Sequence, residues 1–180
     1  MKFTSKNRCT WFDNSSSKSP QPQQSEKESF ILTDNEVIAV KYAHNLITTQ
    51  MLMGDVFKEG GKEYVFSEDK YVTPWVIGYL AGILDYSIQS TGAGEHARFE
   101  LQQFFIHLHF SSALREKVDM VYLICHSDMS GKDTGVFFPD YGKDYIAGAQ
   151  AGFNTPPSTE SDTPKLELYW YLSNNCNPRS

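Results

Sequence analysis

A chain of 180 residues and 20.5 kDa has the size of one ordinary domain, and 40% apolar with 14% aromatic residues is enough to bury a sizeable core. This excludes a fully disordered chain, and the lack of an apolar run of about 18 residues excludes a transmembrane span. A net charge of −6 and a pI near 5.3 argue against a surface that neutralises nucleic-acid phosphates, so the expectation is a soluble, globular, acidic protein that binds neither nucleic acid nor membrane.

The charge is uneven along the chain. Residues 1–28 carry five basic against three acidic side chains, a balance of +2, while the remainder carries eleven against nineteen and stands at −8. Within 14–29 the run NSSSKSPQPQQSEKES has no aliphatic or aromatic side chain, so burial cannot offset its ordering entropy. Residues 1–29 therefore read as a flexible polar leader, with docking on a partner as the alternative. Phe3, Cys9, Trp11 and Phe12 ahead of that run would pin the leader to the body. The start MKFTSKNRCTWF lacks the apolar stretch of a secretory signal. The chain is expected in the cytoplasm if Met1 is its native start, and exported if a leader has been removed. Cys9, Cys125 and Cys176 form no close pair and read as reduced thiols, with a Cys9–Cys176 bridge possible in an exported protein.

In the body, Thr33-Asp34-Asn35-Glu36 has the form of a capping box. Val37, Val40, Ala43, Leu46, Ile47 and Met51 follow at helical steps, so a first helix is expected over 34–53. Val56-Phe57 and Tyr64-Val65-Phe66 flank paired glycines and predict a β-hairpin over 56–66. Thr73-Pro74 opens a second helix to about residue 89, apolar nearly all round and therefore central, with Asp85 its only charge.

Ala97, Leu101, Phe104, Phe105 and Leu108 predict a third helix over about 95–110. Ser111-Ser112 recaps a fourth, with Leu114, Val118, Val121, Tyr122 and Cys125 on one face, although 119–125 is open to a strand reading as well. Residues 126–142 read as a loop, and a last helix is expected over 142–152. Gly78-Tyr79-Leu80-Ala81-Gly82 and Gly148-Ala149-Gln150-Ala151-Gly152 share G-x-x-A-G. The flanks do not extend the match, and two close helix contacts account for it as well as a repeat would.

Residues 154–164, NTPPSTESDTP, read as a linker between the helical domain at 30–153 and a terminal segment at 165–180. In that segment Leu166, Leu168, Trp170 and Leu172 alternate with polar and tyrosine positions, predicting a strand that pairs with the hairpin. The expected fold is mainly α (α+β): a compact bundle of four to five helices with a small antiparallel sheet made of the hairpin and the C-terminal strand.

Signature motifs of catalysis are missing: no G-x-S-x-G, H-E-x-x-H, C-x-x-C or G-x-G-x-x-G occurs. The run Gly131-Lys132-Asp133-Thr134-Gly135 departs from a phosphate loop, since His126 stands where the pattern needs glycine and Asp133 where it needs Ser or Thr. No cofactor is expected. Asp128 and Asp133 about Ser130-Gly131 do not follow the order of a calcium loop and read as a solvated turn.

Histidine is the residue type best suited to chemistry here. On a third helix beginning at 95, His96, Glu100, Gln103 and His107 would share one edge within about 60°. The weak metal candidates are accordingly His96, Glu100, His107 and His126, with one loop ligand. The eleven-residue step from His96 to His107 spans roughly 16 Å of helix, too far for one ion. Cys125 beside His126 is a weak nucleophile candidate, since the thiol falls on the apolar face.

Aromatic residues are in surplus. Tyr141, Tyr145, Tyr169 and Tyr171 are the candidate binding residues, because tyrosine and tryptophan supply energy at protein interfaces. The functional expectation is a small acidic protein-binding module, with inhibition or neutralisation of a basic partner protein as its extension. The alternative is a metal-dependent or cysteine-based enzyme built on His96, Glu100, His107, Cys125 and His126. Composition does not settle the oligomeric state.

Overall fold

The computed structural model describes residues 31–53, 65–130, 140–156 and 165–176. They form six α-helices: α1 Asp34–Met53, α2 Pro74–Ser90, α3 Phe99–Leu108, α4 Arg115–Met129, α5 Tyr141–Phe153 and α6 Glu167–Tyr171. The proposed leader and hairpin turn, with the greater part of the linker, lie outside the described residues.

The first two helices start where their caps dictate. The Glu36 amide donates to Thr33 Oγ1 at 3.2 Å while the Thr33 amide donates to Glu36 Oε2 at 2.8 Å, which completes the capping box. Thr73 Oγ1 accepts from the Val76 amide at 3.2 Å, and Pro74 takes the first helical position. Helix α2 is buried along almost its whole length, from Val76 through Leu84 and again at Ser87 and Ile88. It is the axis of the molecule.

Helix α5 lies along α2 in the same direction. A Cβ at Gly78 would collide with the Tyr145 carbonyl, one at Gly82 with that of Ala149, one at Gly148 with that of Trp75 and one at Gly152 with that of Tyr79. Each glycine thus meets the carbonyl three residues before its counterpart in the other G-x-x-A-G segment, and the contact has a local two-fold symmetry. The echo in the sequence is one helix crossing seen from both sides. Backbones this close gain Cα–H···O contacts that any side chain would abolish.

Two antiparallel neighbours flank this pair. Helix α1 runs against α2, with Gln50 bonded to Tyr79, and α3 turns into α4 as a hairpin with His107 opposite Asp119 and Phe99 opposite His126. Residues 119–125 are helix, not strand.

Four expectations need correction. The third helix begins at Phe99 instead of 95, because Asp85 Oδ1 takes the Ala97 amide at 2.8 Å and holds the preceding residues in a turn. The supposed loop at 126–142 is eroded from both ends, since α4 runs through Met129 and α5 begins at Tyr141. Asn154 to Pro156, expected to open the linker, belong to the body, with Thr155 fully buried.

The largest correction concerns the sheet. The C-terminal segment is helix α6 followed by a π-turn at Leu172–Cys176, and no strand occurs among the described residues. Leu168 and Leu172, four apart, are buried, whereas Trp170 between them is 57% exposed. Burial thus follows the helical step and not the alternation. The Leu168 amide finds its acceptor in Gln50 Oε1 at 3.0 Å, so no strand partner is required. Of the hairpin, the described end contributes only an isolated parallel bridge between Phe66 and Phe110.

Candidate functional site

The histidine edge does not assemble. His96 precedes α3 with its side chain 77% exposed, and its Nδ1 lies 3.9 Å from Asp85 Oδ2. Glu100 is exposed in the first turn of α3, and His107 Nε2 lies 2.8 Å from Asp119 Oδ1 on α4. Among the described residues no group of three His, Cys, Asp or Glu side chains could hold a metal ion.

Cys125 is buried on α4, where burial pushes its thiol up to about 12 and the Asp128 and Asp144 carboxylates add to the effect. Such a thiol is a small hydrophobe, not a nucleophile. Cys176 is likewise buried, and both are free. His126 packs edge-on against Tyr122 at 4.3 Å, Tyr145 at 5.4 Å and Phe99 at 6.1 Å between ring centroids. Its Nε2 is buried without a hydrogen-bond partner among the described residues, and burial lowers its pKa. A neutral imidazole edge against aromatic rings is a low-cost substitute for that bond.

The tyrosines fare differently from one another. Tyr145 is 6% exposed and belongs to the His126 cluster. Tyr141 is half-buried at the start of α5. Tyr171 stacks on Trp75 with centroids 3.9 Å apart and planes within 5°, and its hydroxyl donates to Thr73 Oγ1 at 3.4 Å. Tyr169 stands at 66° to Trp170, which projects into solvent. The aromatic strand face expected from the alternation is therefore not formed, because a helix distributes these side chains around its axis.

What forms instead is a corner where the N-terminal ends of α2 and α5 meet α6. Trp75, Tyr141 and Tyr171 are half-buried there, and the field of Asp144 reaches Tyr171, whose hydroxyl pKa is raised chiefly by burial. Asp140, Lys143 and Asp144 are exposed at the start of α5, while α6 enters from the other end of α5, where the Lys165 amide donates to the Thr155 carbonyl at 3.1 Å. The start of α5 is held by Asp128, whose Oδ2 accepts the Gly142 amide at 2.8 Å and completes the helix end from α4. Asp140, just before α5, adopts a left-handed φ of 68°, uncommon for a residue with a side chain.

Three polar clusters escaped the reading of the sequence. Arg98 Nε donates to Glu36 Oε1 at 2.8 Å and its Nη2 to the Ile31 carbonyl at 2.9 Å, and this guanidinium holds the Glu36 carboxyl at about 2. Gln50 Nε2 donates to Tyr79 Oη at 2.7 Å, and that hydroxyl lies 2.8 Å from Thr155 Oγ1. Thr155 itself donates to the Ala151 carbonyl at 2.9 Å, so Tyr79 is the donor to it, and burial pushes the phenol up to about 12. His44 Nδ1 lies 3.2 Å from His109 Nε2. His109 thus sits at the junction of α3 with α1. Partners 29 to 76 residues apart leave no local pattern by which sequence could pair them.

Comparison with family models, curated proteins and solved structures finds no match for this chain.

Proposed function

We propose that this chain is an acidic protein-binding module that docks a basic protein partner on the corner formed by α2, α5 and α6. The observation that carries the reading is the Trp75–Tyr171 stack with the Asp144 charge beside it and Trp170 57% exposed on the same short helix. Rigid aromatic anchors next to carboxylates are suited to a surface rich in Lys and Arg, since the rings supply contact area at low entropic cost and the charge speeds encounter.

The wider charge distribution supports it. Among the described residues thirteen acidic side chains face seven basic ones. Of the basic ones Lys70, Arg98 and Lys117 are already paired with Glu68, Glu36 and Asp69. Inhibition or neutralisation follows where the surface so covered is one the partner uses. The enzyme alternative draws no support from the positions of its residues: His96 lies off α3, His107 is paired with Asp119, and Cys125 is a buried thiol.

The test is affinity capture from native lysate with mass spectrometry, run in parallel with Trp170→Ala and Asp144→Lys, both at exposed positions. A basic protein retained by the parent chain, lost to both variants and released by raised salt bears the proposal out. Capture that is indifferent to both substitutions, or an acidic partner, overturns it.

A further inference from the structure

A second feature stands apart from that corner, at the junction of α1 with the end of α3. His109 is fully buried, and its Nδ1 lies 2.9 Å from the Phe105 carbonyl, which only accepts; Nδ1 therefore carries the hydrogen. Its Nε2 must then be the acceptor, and His44 Nδ1, 3.2 Å away, the donor. That leaves His44 Nε2 as an acceptor for the Thr48 hydroxyl at 3.3 Å. With both rings neutral, every hydrogen in the chain Thr48, His44, His109, Phe105 has one assignment.

The chain has a definite capacity for protons. One more can be added at its outer end, on the half-buried His44, because the Thr48 hydroxyl can turn from donor to acceptor. A second would sit on His109 Nε2 and face the hydrogen already on His44 Nδ1. Two donors at 3.2 Å cannot share a bond, and His109 is fully buried, so its second hydrogen gains no water partner.

The same residue anchors a backbone clip. The His109 carbonyl accepts the Phe66 amide at 2.8 Å, and the Phe66 carbonyl accepts the Ser111 amide at 2.9 Å. From the histidine pair and this clip we infer that the α1–α3 junction is an acid-released latch: closed, it holds at most one proton, and uptake of the second opens it and frees the segment around Phe66.

No other charge on the described elements compensates a proton there. On α1, Glu36 is bonded to Arg98, and Asp34 and Lys41 are exposed. On α2, Asp85 holds the Ala97 amide. On α3, Glu100 is exposed and His107 is paired with Asp119. Beyond the Phe66 clip, Glu68 and Asp69 pair with Lys70 and Lys117, both at 3.2 Å, and Arg115 and Glu116 at the start of α4 face water. Burial accordingly lowers the His109 pKa from 6.5 to about 4, so the closed form binds fewer protons than the open one across that window.

The test has two measurements on the full chain. Hydrogen exchange, normalised for intrinsic rate, should show the opening constant of the Phe66, His109 and Ser111 amides rising about a hundredfold between pH 7 and pH 4. Imidazole nitrogen NMR should show His109 as the Nδ1–H tautomer throughout the closed state. In His44→Asn the amide can donate to neutral His109 and flip to accept from its protonated form, so the rise should fall below tenfold. An imidazolium at His109 with the clip amides still protected, an opening constant flat across the range, or an undiminished rise in His44→Asn overturns the latch. Should that variant fail to fold, the tautomer and exchange measurements on the parent chain decide by themselves.

Discussion

Gly78 lies on the backbone carbonyl of Tyr145 while Gly148 lies on that of Trp75, so each glycine occupies the space the other's helix leaves open. The reciprocity sets α2 and α5 parallel, which in turn brings the Trp75 ring and the start of α5 to one corner. Helices in this relation tolerate no Cβ at four places, since the obstructing atoms are backbone and cannot swing away.

Gly148→Ala should therefore destabilise the fold by about 2–3 kcal/mol, at the upper end of overpacking costs. Gly94→Ala is the control: its Cβ would sit 3.5 Å from the nearest atom, an ordinary contact, and stability should stay within about 0.5 kcal/mol. Urea unfolding followed by far-UV circular dichroism measures both.

Tyr79→Phe removes the acceptor of the buried Gln50 amide while Thr155 keeps its bond to Ala151. The unsatisfied donor should cost about 1–3 kcal/mol. Since Gln50 Oε1 also takes the Leu168 amide, exchange protection at Leu168 should fall along with global stability.

The Glu36 carboxyl, held at about 2 chiefly by its hydrogen bond to Arg98, is depressed from 4.5. A depressed folded-state value means the contribution is complete above pH 4.5 and is lost as pH falls through 2, at most about 3 kcal/mol in all. Glu36→Gln should be less stable at neutral pH and lose less between pH 4.5 and 2. Denaturation midpoints over a pH series read this out, and the window lies below the one between pH 6.5 and 4 that belongs to His109, meeting it only between pH 4.5 and 4.

Cys125, with its thiol raised to about 12, should resist iodoacetamide at pH 8 on a timescale that fully labels an exposed thiol, and react once urea unfolds the chain. Peptide mass spectrometry distinguishes it from Cys176. Rapid labelling of Cys125 in the folded protein would contradict its burial.

Local chemistry was legible from the residues. Thr33, Glu36, Thr73 and Pro74 announce two helix starts, and the apolar run from Trp75 to Ile88 announces a central helix, because caps and periodicity act within a turn or two. The glycine echo was visible too, though not which carbonyls would fill the gaps. The terminal segment is ambiguous in sequence because Leu166, Leu168, Trp170 and Leu172 satisfy a period of two as well as a partial helical step, and Gln50, far away in sequence, accepts the Leu168 amide in the helical form.

The same division holds for function. Composition alone determined a chain whose body is eight charges negative beyond its first 28 residues, with more tyrosine and tryptophan than a small core absorbs. Only the tertiary structure decided that His96, Glu100 and His107 stay apart, that Tyr145 is interior and Tyr171 stacks on Trp75, and that His44 meets His109. Residue types and spacing set what a helix can present on each face. Which faces meet depends on close fit and hydrogen-bond satisfaction between segments tens of residues apart, and that information is carried by no single stretch of the chain.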